Sequence, residues 1–156
     1  MKLHILAVSR KMPAWVDAGF TEYARRMPRA LPVDISEIKP ADRANGETAA
    51  RWRATEAQRI RAALPADCLR VVLDEHGELP TTADIARRLE RWQGDAQDVA
   101  FIIGGPDGIA RELQREADWQ LALSRLTLPH GLVRVLLAEQ LYRAASLLAG
   151  HPYHRE

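Results

Sequence analysis

The chain has a single cysteine, Cys68, no apolar run of membrane-spanning length and no excess of charge of either sign. One thiol excludes an internal disulfide framework. The mainly apolar stretch at residues 3–8, just after Lys2, is too short for a signal-peptide core or a transmembrane helix. Together these absences predict a cytoplasmic protein with no membrane partner. With 22 Lys plus Arg against 21 Asp plus Glu, bulk charge gives no support for binding DNA or RNA, which usually shows a basic excess. An RNA partner would have to be held by a local patch, or by one assembled in an oligomer. Phosphate fingerprints are missing too: there is no G-x-x-x-x-G-K-[ST], and Gly104, Gly105 and Gly108 do not make G-x-G-x-x-G.

What is present is a chain of 156 residues, 47% hydrophobic and 28% charged, which fits one globular domain over residues 1–156 with a sizeable core. β-rich runs at 3–8, 33–38, 69–74, 99–103 and 120–123 alternate with helical periods at 14–27, 47–64, 82–92, 109–117 and 132–148, punctuated by Pro28, Pro65, Gly94, Pro129 and Gly150. This alternation predicts an α/β fold with a mostly parallel sheet and helices on both faces. Helix 132–148 is apolar nearly all round and must be buried on most sides; a second copy of the chain could supply that cover, which points to a homodimer. Glu139 and Arg143 lie one turn apart on it, spaced for an ion pair. They could simply satisfy one another at a contact, or organise a site near the chain end.

In such a fold, function gathers at the loops leaving the carboxyl ends of the strands. Three qualify: residues 71–77, residues 101–108 and residues 123–130. Gly104 and Gly105 could form a tight turn before a helix or admit a ligand close to the backbone, and spacing alone leaves both open. The tail His151-Pro152-Tyr153-His154-Arg155-Glu156 is unusually rich in reactive side chains for a terminus. His151 and His154 with Glu156 lack a third fixed ligand, so no metal is expected; Ser124 and His130 lack the G-x-S-x-G elbow of a hydrolase. His130 reads instead as a turn or helix-start residue. Trp15, Trp52, Trp92 and Trp119 are scattered, as core or interface anchors would be, not as a base-stacking platform. Arg25, Arg26 and Arg29, with Lys11, Lys39 and Arg43, either complement a helix C-terminus or touch phosphate. Arg51, Arg53, Arg59 and Arg61, interleaved with Glu47 and Glu56, read as a solvated helix face.

Taken together, Ala7-Val8 with Lys11-Met12-Pro13, Leu73-Asp74, the run Ile103-Gly104-Gly105-Pro106-Asp107-Gly108, Leu126-Thr127-Leu128-Pro129-His130 with Leu132-Val133-Arg134-Val135, Glu139 with Leu141-Tyr142-Arg143-Ala144, and the tail form a specific set. In these motifs the chain closely resembles, nearly end to end, the ribosomal RNA large subunit methyltransferase H family, of the SPOUT class of S-adenosylmethionine-dependent methyltransferases. The resemblance implies a homodimer with a deep C-terminal trefoil knot, a topology no strand count could suggest because knots are so rare. It implies S-adenosylmethionine as methyl donor, held mostly by backbone at Leu73, Gly104, Leu123, Ser124, Arg125, Leu126, Thr127 and Leu128. The implied acceptor is N3 of a pseudouridine in helix 69 of large-subunit ribosomal RNA, on the assembled 70S ribosome. The weakly acidic imide must shed its proton, so Tyr153, His154 and Arg155 are the candidate catalytic groups, with Glu139 behind them. A non-catalytic ribosome-associated factor that keeps the knot is the alternative. A hydrolase or a dinucleotide enzyme is disfavoured by the missing elbow and fingerprint.

Overall fold

A computed structural model describes the backbone of residues 1–155 and the side chains of residues 1–153; Glu156 and the side chains of His154 and Arg155 lie outside the described residues. Five strands form one sheet: β1 (Leu3–Val8), β2 (Val33–Ile38), β3 (Leu69–Glu78), β4 (Val99–Ile103) and β5 (Trp119–Leu121). Their spatial order is β2-β1-β4-β3-β5, and every pair is parallel. Five α-helices connect and follow them: α1 (Ala14–Ala24), α2 (Ala49–Ala63), α3 (Thr82–Gly94), α4 (Arg111–Arg115) and α5 (His130–Leu148).

Strand periodicity explains the layering. Successive strand residues point to opposite faces, and here both faces are apolar, as a sheet covered on both sides requires. Leu3, Ile5, Ala7, Val71, Phe101 and Ile103 pack with α1, α3 and α5 through Phe20, Leu89, Trp92, Leu137 and Leu141. Leu6, Val8, Val72 and Ile102 pack on the other face with α2 and α4, through Ala57, Ile60 and Leu113. α5 is sandwiched most deeply, with Leu137, Ala138, Leu141, Ala144 and Ala145 buried. Thr81 and Asp84 close a capping box that starts α3.

The expected elements all form, with three instructive differences in extent. α1 stops at Ala24, short of residue 27, because Pro28 disfavours helical backbone before it. α4 is a five-residue helix inside the expected 109–117. β3 runs on through Asp74-Glu75-His76-Gly77 to Glu78, where a loop was expected. Both Leu73 and Glu78 register with Leu121, so residues 74–77 bulge out and the strand then resumes. Glu78 is fixed there by Trp119 Nε1, which donates at 2.8 Å, and by Arg88 at 3.1 Å. Trp92 and Trp119 are core residues, whereas Trp15 is 58% exposed.

The resumption depends on Gly77. A Cβ there would lie 2.7 Å from the carbonyl carbon and oxygen of Gln120 and 2.9 Å from Leu121 N, all backbone atoms that cannot rotate away. A Cβ on Gly94 would meet nothing within 4 Å. Gly77→Ala is therefore expected to lower unfolding stability by about 2 kcal/mol through overpacking, while Gly94→Ala leaves it equal or slightly higher. Urea denaturation of the two variants checks this, and equal stability would rule out the close approach.

Candidate functional site

The carboxyl ends of β1, β3, β4 and β5 open into one cleft of about 1330 Å³, walled by the segments that follow them. The position is the one that a parallel α/β sheet leads to. Leu73, Gly104, Leu123, Ser124, Leu126, Thr127 and Leu128 all line it. Of the expected donor set Arg125 alone does not, and its guanidinium instead donates to the Glu75 carbonyl at 3.4 Å, across the mouth of the β3 bulge. Leu126 is 73% exposed, an apolar side chain left facing solvent at the cleft margin.

The glycine segment is a tight turn that also forms part of the cleft wall. Gly108 N donates to Gly105 O at 3.0 Å, closing the turn, and Gly108 takes φ +78°, the left-handed region natural to glycine. At Gly104 a Cβ would stand 2.6 Å from Ile109 Cγ1 and 3.1 Å from Gly108 C, so the bare backbone is a packing requirement there.

His130 links this wall to α5. Pro129 is the N-cap and His130 the first helical residue, as its place after a proline suggested. Arg134, one turn on, donates from Nε to His130 Nε2 at 3.1 Å, so that nitrogen is the acceptor and the proton sits on Nδ1, 3.2 Å from the Gly104 carbonyl. Burial, then the neighbouring Arg134 cation, push the imidazole pKa below its ordinary value. Arg134 itself is 1% exposed. It also donates to Glu37 Oε1 at 3.0 Å and to Ser9 Oγ.

Charged residues read from sequence as surface features are rearranged by the fold. Glu56, expected on a solvated helix face, is 2% exposed, because the Lys39–Gly46 connection folds over α2: Ala41 N and Arg43 Nη2 donate to Glu56 Oε1 at 3.0 and 3.1 Å. Arg59 holds the same connection by donating to the carbonyls of Lys39 and Pro40. Arg25 and Arg26 are paired with Glu22, and Arg43 with Asp107 and Glu56, so those cations are already engaged. Neither the burial of Glu56 nor the pairing of Arg134 with Ser9 and Glu37, 125 and 97 residues away, has a local sequence signal.

The tail forms a second cluster. Tyr153 donates from its hydroxyl to Glu139 Oε1 at 3.2 Å, and Arg143 Nε and Gln140 Nε2 donate to the same carboxylate at 2.8 and 2.7 Å. Burial, then the Glu139 charge, push the Tyr153 hydroxyl up to about 12, so it stays protonated and can donate but not accept a proton near neutral pH. Glu139 and Tyr153 do not line the cleft: Glu139 lies nine residues past His130 along α5, about 13 Å of helix rise. The expected roles of His154 and Arg155 fall on side chains outside the described residues. Among the described residues no group of His, Cys, Asp or Glu could hold a metal, and no helix is long and apolar enough to cross a membrane.

A family model described as "Predicted SPOUT methyltransferase" matches residues 1–154. The chain is similar to proteins named ribosomal RNA large subunit methyltransferase H from Nitrosospira multiformis (55% identity over 99% of both chains), Laribacter hongkongensis (54% over 100% of both) and Burkholderia mallei (55% over 99% of both). A crystal structure of a methylase family protein from Neisseria gonorrhoeae superposes with a TM-score of 0.50 at 13% identity, covering 90% of this chain and 80% of that one, which bears on the fold alone.

The buried His130 yields a pH dependence. Its folded pKa is lowered from 6.5, so below about 6.5 the unfolded chain binds the proton more readily, and stability falls as the pH drops toward the folded value. Between about pH 7.5 and about pH 5.5, wild type should lose more thermal stability than His130→Asn, whose amide can still donate to Gly104. Equal losses in the two melts would mean that His130 is not held neutral.

Proposed function

The chain belongs to the SPOUT methyltransferase family, in the group named ribosomal RNA large subunit methyltransferase H, and from that premise we propose that it methylates N3 of a pseudouridine in helix 69 of large-subunit ribosomal RNA, on the assembled 70S ribosome in the cytoplasm. The observation that carries this reading is the coincidence of the cleft with seven of the eight expected donor residues. The same reading includes the deep C-terminal trefoil knot that the family resemblance implies.

The cleft fits S-adenosylmethionine. Gly104 and Gly105 bring main chain to the cleft wall, Leu73, Ile103, Leu121, Leu123 and Leu128 offer apolar surface for an adenine ring, and Asp74 and Glu75 line the rim where hydroxyl or ammonium groups need acceptors. Its volume exceeds that of typical sites for one small ligand, leaving space for an acceptor base beside the donor. When bound, S-adenosylmethionine supplies an activated methyl group and needs no metal, only an in-line nucleophile. The residues of the chain must therefore position and deprotonate. His154 is the candidate for positioning the RNA or for taking the imide proton, and Arg155, permanently charged, for a clamp on phosphate or base. Tyr153 keeps its proton and, with Glu139 and Arg143, fixes where the tail starts.

That tail cluster is off the cleft in one chain, and the half-buried apolar stripe Leu132, Val135 and Leu136 runs beside it on α5. A homodimer packed through α5 would cover the stripe and carry the tail of one chain to the cleft of the other.

The decisive measurement is transfer of a labelled methyl group to ribosomes lacking the modification, beside isolated large subunits, with the nucleoside identified afterwards. Label on N3 of pseudouridine in the 70S particle is expected; donor binding without label would favour the non-catalytic factor. Deleting residues 153–156 should abolish transfer and leave donor binding nearly intact, and equal loss of both would remove the tail from catalysis. Mixing tail-deleted chains with Gly104→Val chains should restore about a quarter of the wild-type sites, the fraction that random exchange gives when each mixed dimer keeps one intact pairing. No recovery after exchange would place tail and cleft in the same chain.

A further inference from the structure

Glu56 lies behind the glycine wall with one oxygen satisfied and the other not. Its Oε1 accepts from Ala41 N at 3.0 Å and from Arg43 Nη2 at 3.1 Å. Its Oε2 is buried without a hydrogen-bond partner. A charge so enclosed is expensive unless it is paired and its geometry held, so a purely solvating role is ruled out.

The fold gives the pairing a direction. Arg43 uses its planar fork on three partners at once: Nε and Nη2 reach Asp107 Oδ2, the former at 2.9 Å, Nη2 also reaches Glu56, and Nη1 donates to the Ala41 carbonyl at 3.1 Å. The guanidinium carbon stands 5.4 Å from the Trp52 ring centroid, which braces it from α2. Asp107 sits inside the Gly105–Gly108 turn, and Arg53 adds a 3.4 Å contact to its carbonyl. A Cβ on Gly105 would lie 3.4 Å from Glu56 Oε2 and 3.2 Å from Val8 Cγ1, so the carboxylate lies beside the turn, about one methyl group away from its backbone. Ala41, Arg43, Gly105 and Asp107 all line the cleft; Glu56 does not, and touches the space only through them.

We infer that Glu56 is a positioning residue: through Ala41 and through the Arg43–Asp107 pair it staples the β2–α2 connection to the Gly105–Gly108 turn, and so fixes the wall on which the methyl donor rests. The inference rests on the donor reading of the cleft given above. The staple acts before any ligand arrives, because every bond in it joins groups of the chain. Its consequence is preorganisation: with the staple cut, the turn samples other arrangements and donor binding must select the competent one.

The test compares wild type with Glu56→Gln, Arg43→Met and Asp107→Asn, the last a milder change at a half-buried position. Two quantities are read: amide hydrogen exchange at residues 105–108 without ligand, and the Kd for S-adenosylmethionine by calorimetry, with Gly94→Ala as a remote control. Expected are faster exchange confined to this turn and to residues 41–43, and about a tenfold weaker donor Kd in all three variants, with the exchange of β1 and β4 unchanged. Faster exchange with an unaltered Kd would overturn the positioning role, as would exchange raised evenly through the chain, which marks general loss of stability. Unchanged exchange and Kd in Asp107→Asn would break the link through Arg43. Failure of wild type to bind the donor would sink the donor reading itself, and with it this inference, whatever the variants do.

Discussion

The cleft depends on a buried cation. Arg134 is 1% exposed, and an isolated guanidinium cannot be kept there; every element around it is arranged to supply an acceptor. Glu37 comes from β2, Ser9 from the end of β1 and His130 from the start of α5, and His130 passes the connection to Gly104 at the end of β4. One side chain thus gathers three strand ends to one helix. The Glu37 carboxylate is 42% exposed, so one partner keeps part of its hydration, which reduces the desolvation penalty that a fully enclosed pair would carry. Loss of Arg134 would leave His130 without its donor, and the imidazole would lose the contact that sets its tautomer.

The same logic of anchored wall and shared acceptor recurs on the opposite side of the glycine turn. Asp107 is held by Arg43, and Gly104 by His130. The segment 104–108 is therefore tied on two sides, by an α5 residue at Gly104 and by a residue of the β2–α2 connection at Asp107. A catalyst that relies on placing an activated methyl group in line with its nucleophile gains from such rigidity, since small displacements cost large factors in rate.

Much of the scaffold was legible in the sequence because sheet burial writes itself into local pattern. Leu3, Ile5 and Ala7 on one face and Leu6 and Val8 on the other make an apolar run broken only by His4, which is what a strand covered on both sides requires. The extension of β3 was illegible for the opposite reason: Asp74, Glu75 and His76 are polar and bulge outward, and the strand resumes only because Trp119 and Arg88 seize Glu78 from distant positions. The three carboxyl-end loops could be picked out because a parallel sheet dictates where they must lie. Glu56 could not, since among Arg53, Arg59 and Arg61 it has the spacing of a solvated stripe, and only the fold of residues 39–46 over α2 buries it. Arg134 and Glu37 are 97 residues apart, and no local pattern records such a pair.

Net charge bears on how such a chain meets a large polyanion. At +1 the bulk field does little steering, and the described surface spends many of its arginines on carboxylates: Arg25 and Arg26 on Glu22, Arg61 and Arg70 on Glu116, Arg87 on Asp84 and Arg88 on Glu78. Each exposed pair is worth little to stability, so their main effect is to flatten the local potential. A protein built this way holds non-specific RNA weakly, because that mode of binding scales with the number of phosphates neutralised. Under the proposed function, recognition must come from shape, with the cations outside these pairs and the tail engaging only where the correct surface presents itself. An acceptor displayed on an assembled particle supplies such a surface, whereas the same nucleotide in free RNA offers phosphates that this chain is poorly equipped to attract. Weak general affinity then becomes a source of selectivity, since discrimination is a difference between right and wrong partners and the wrong ones gain almost nothing.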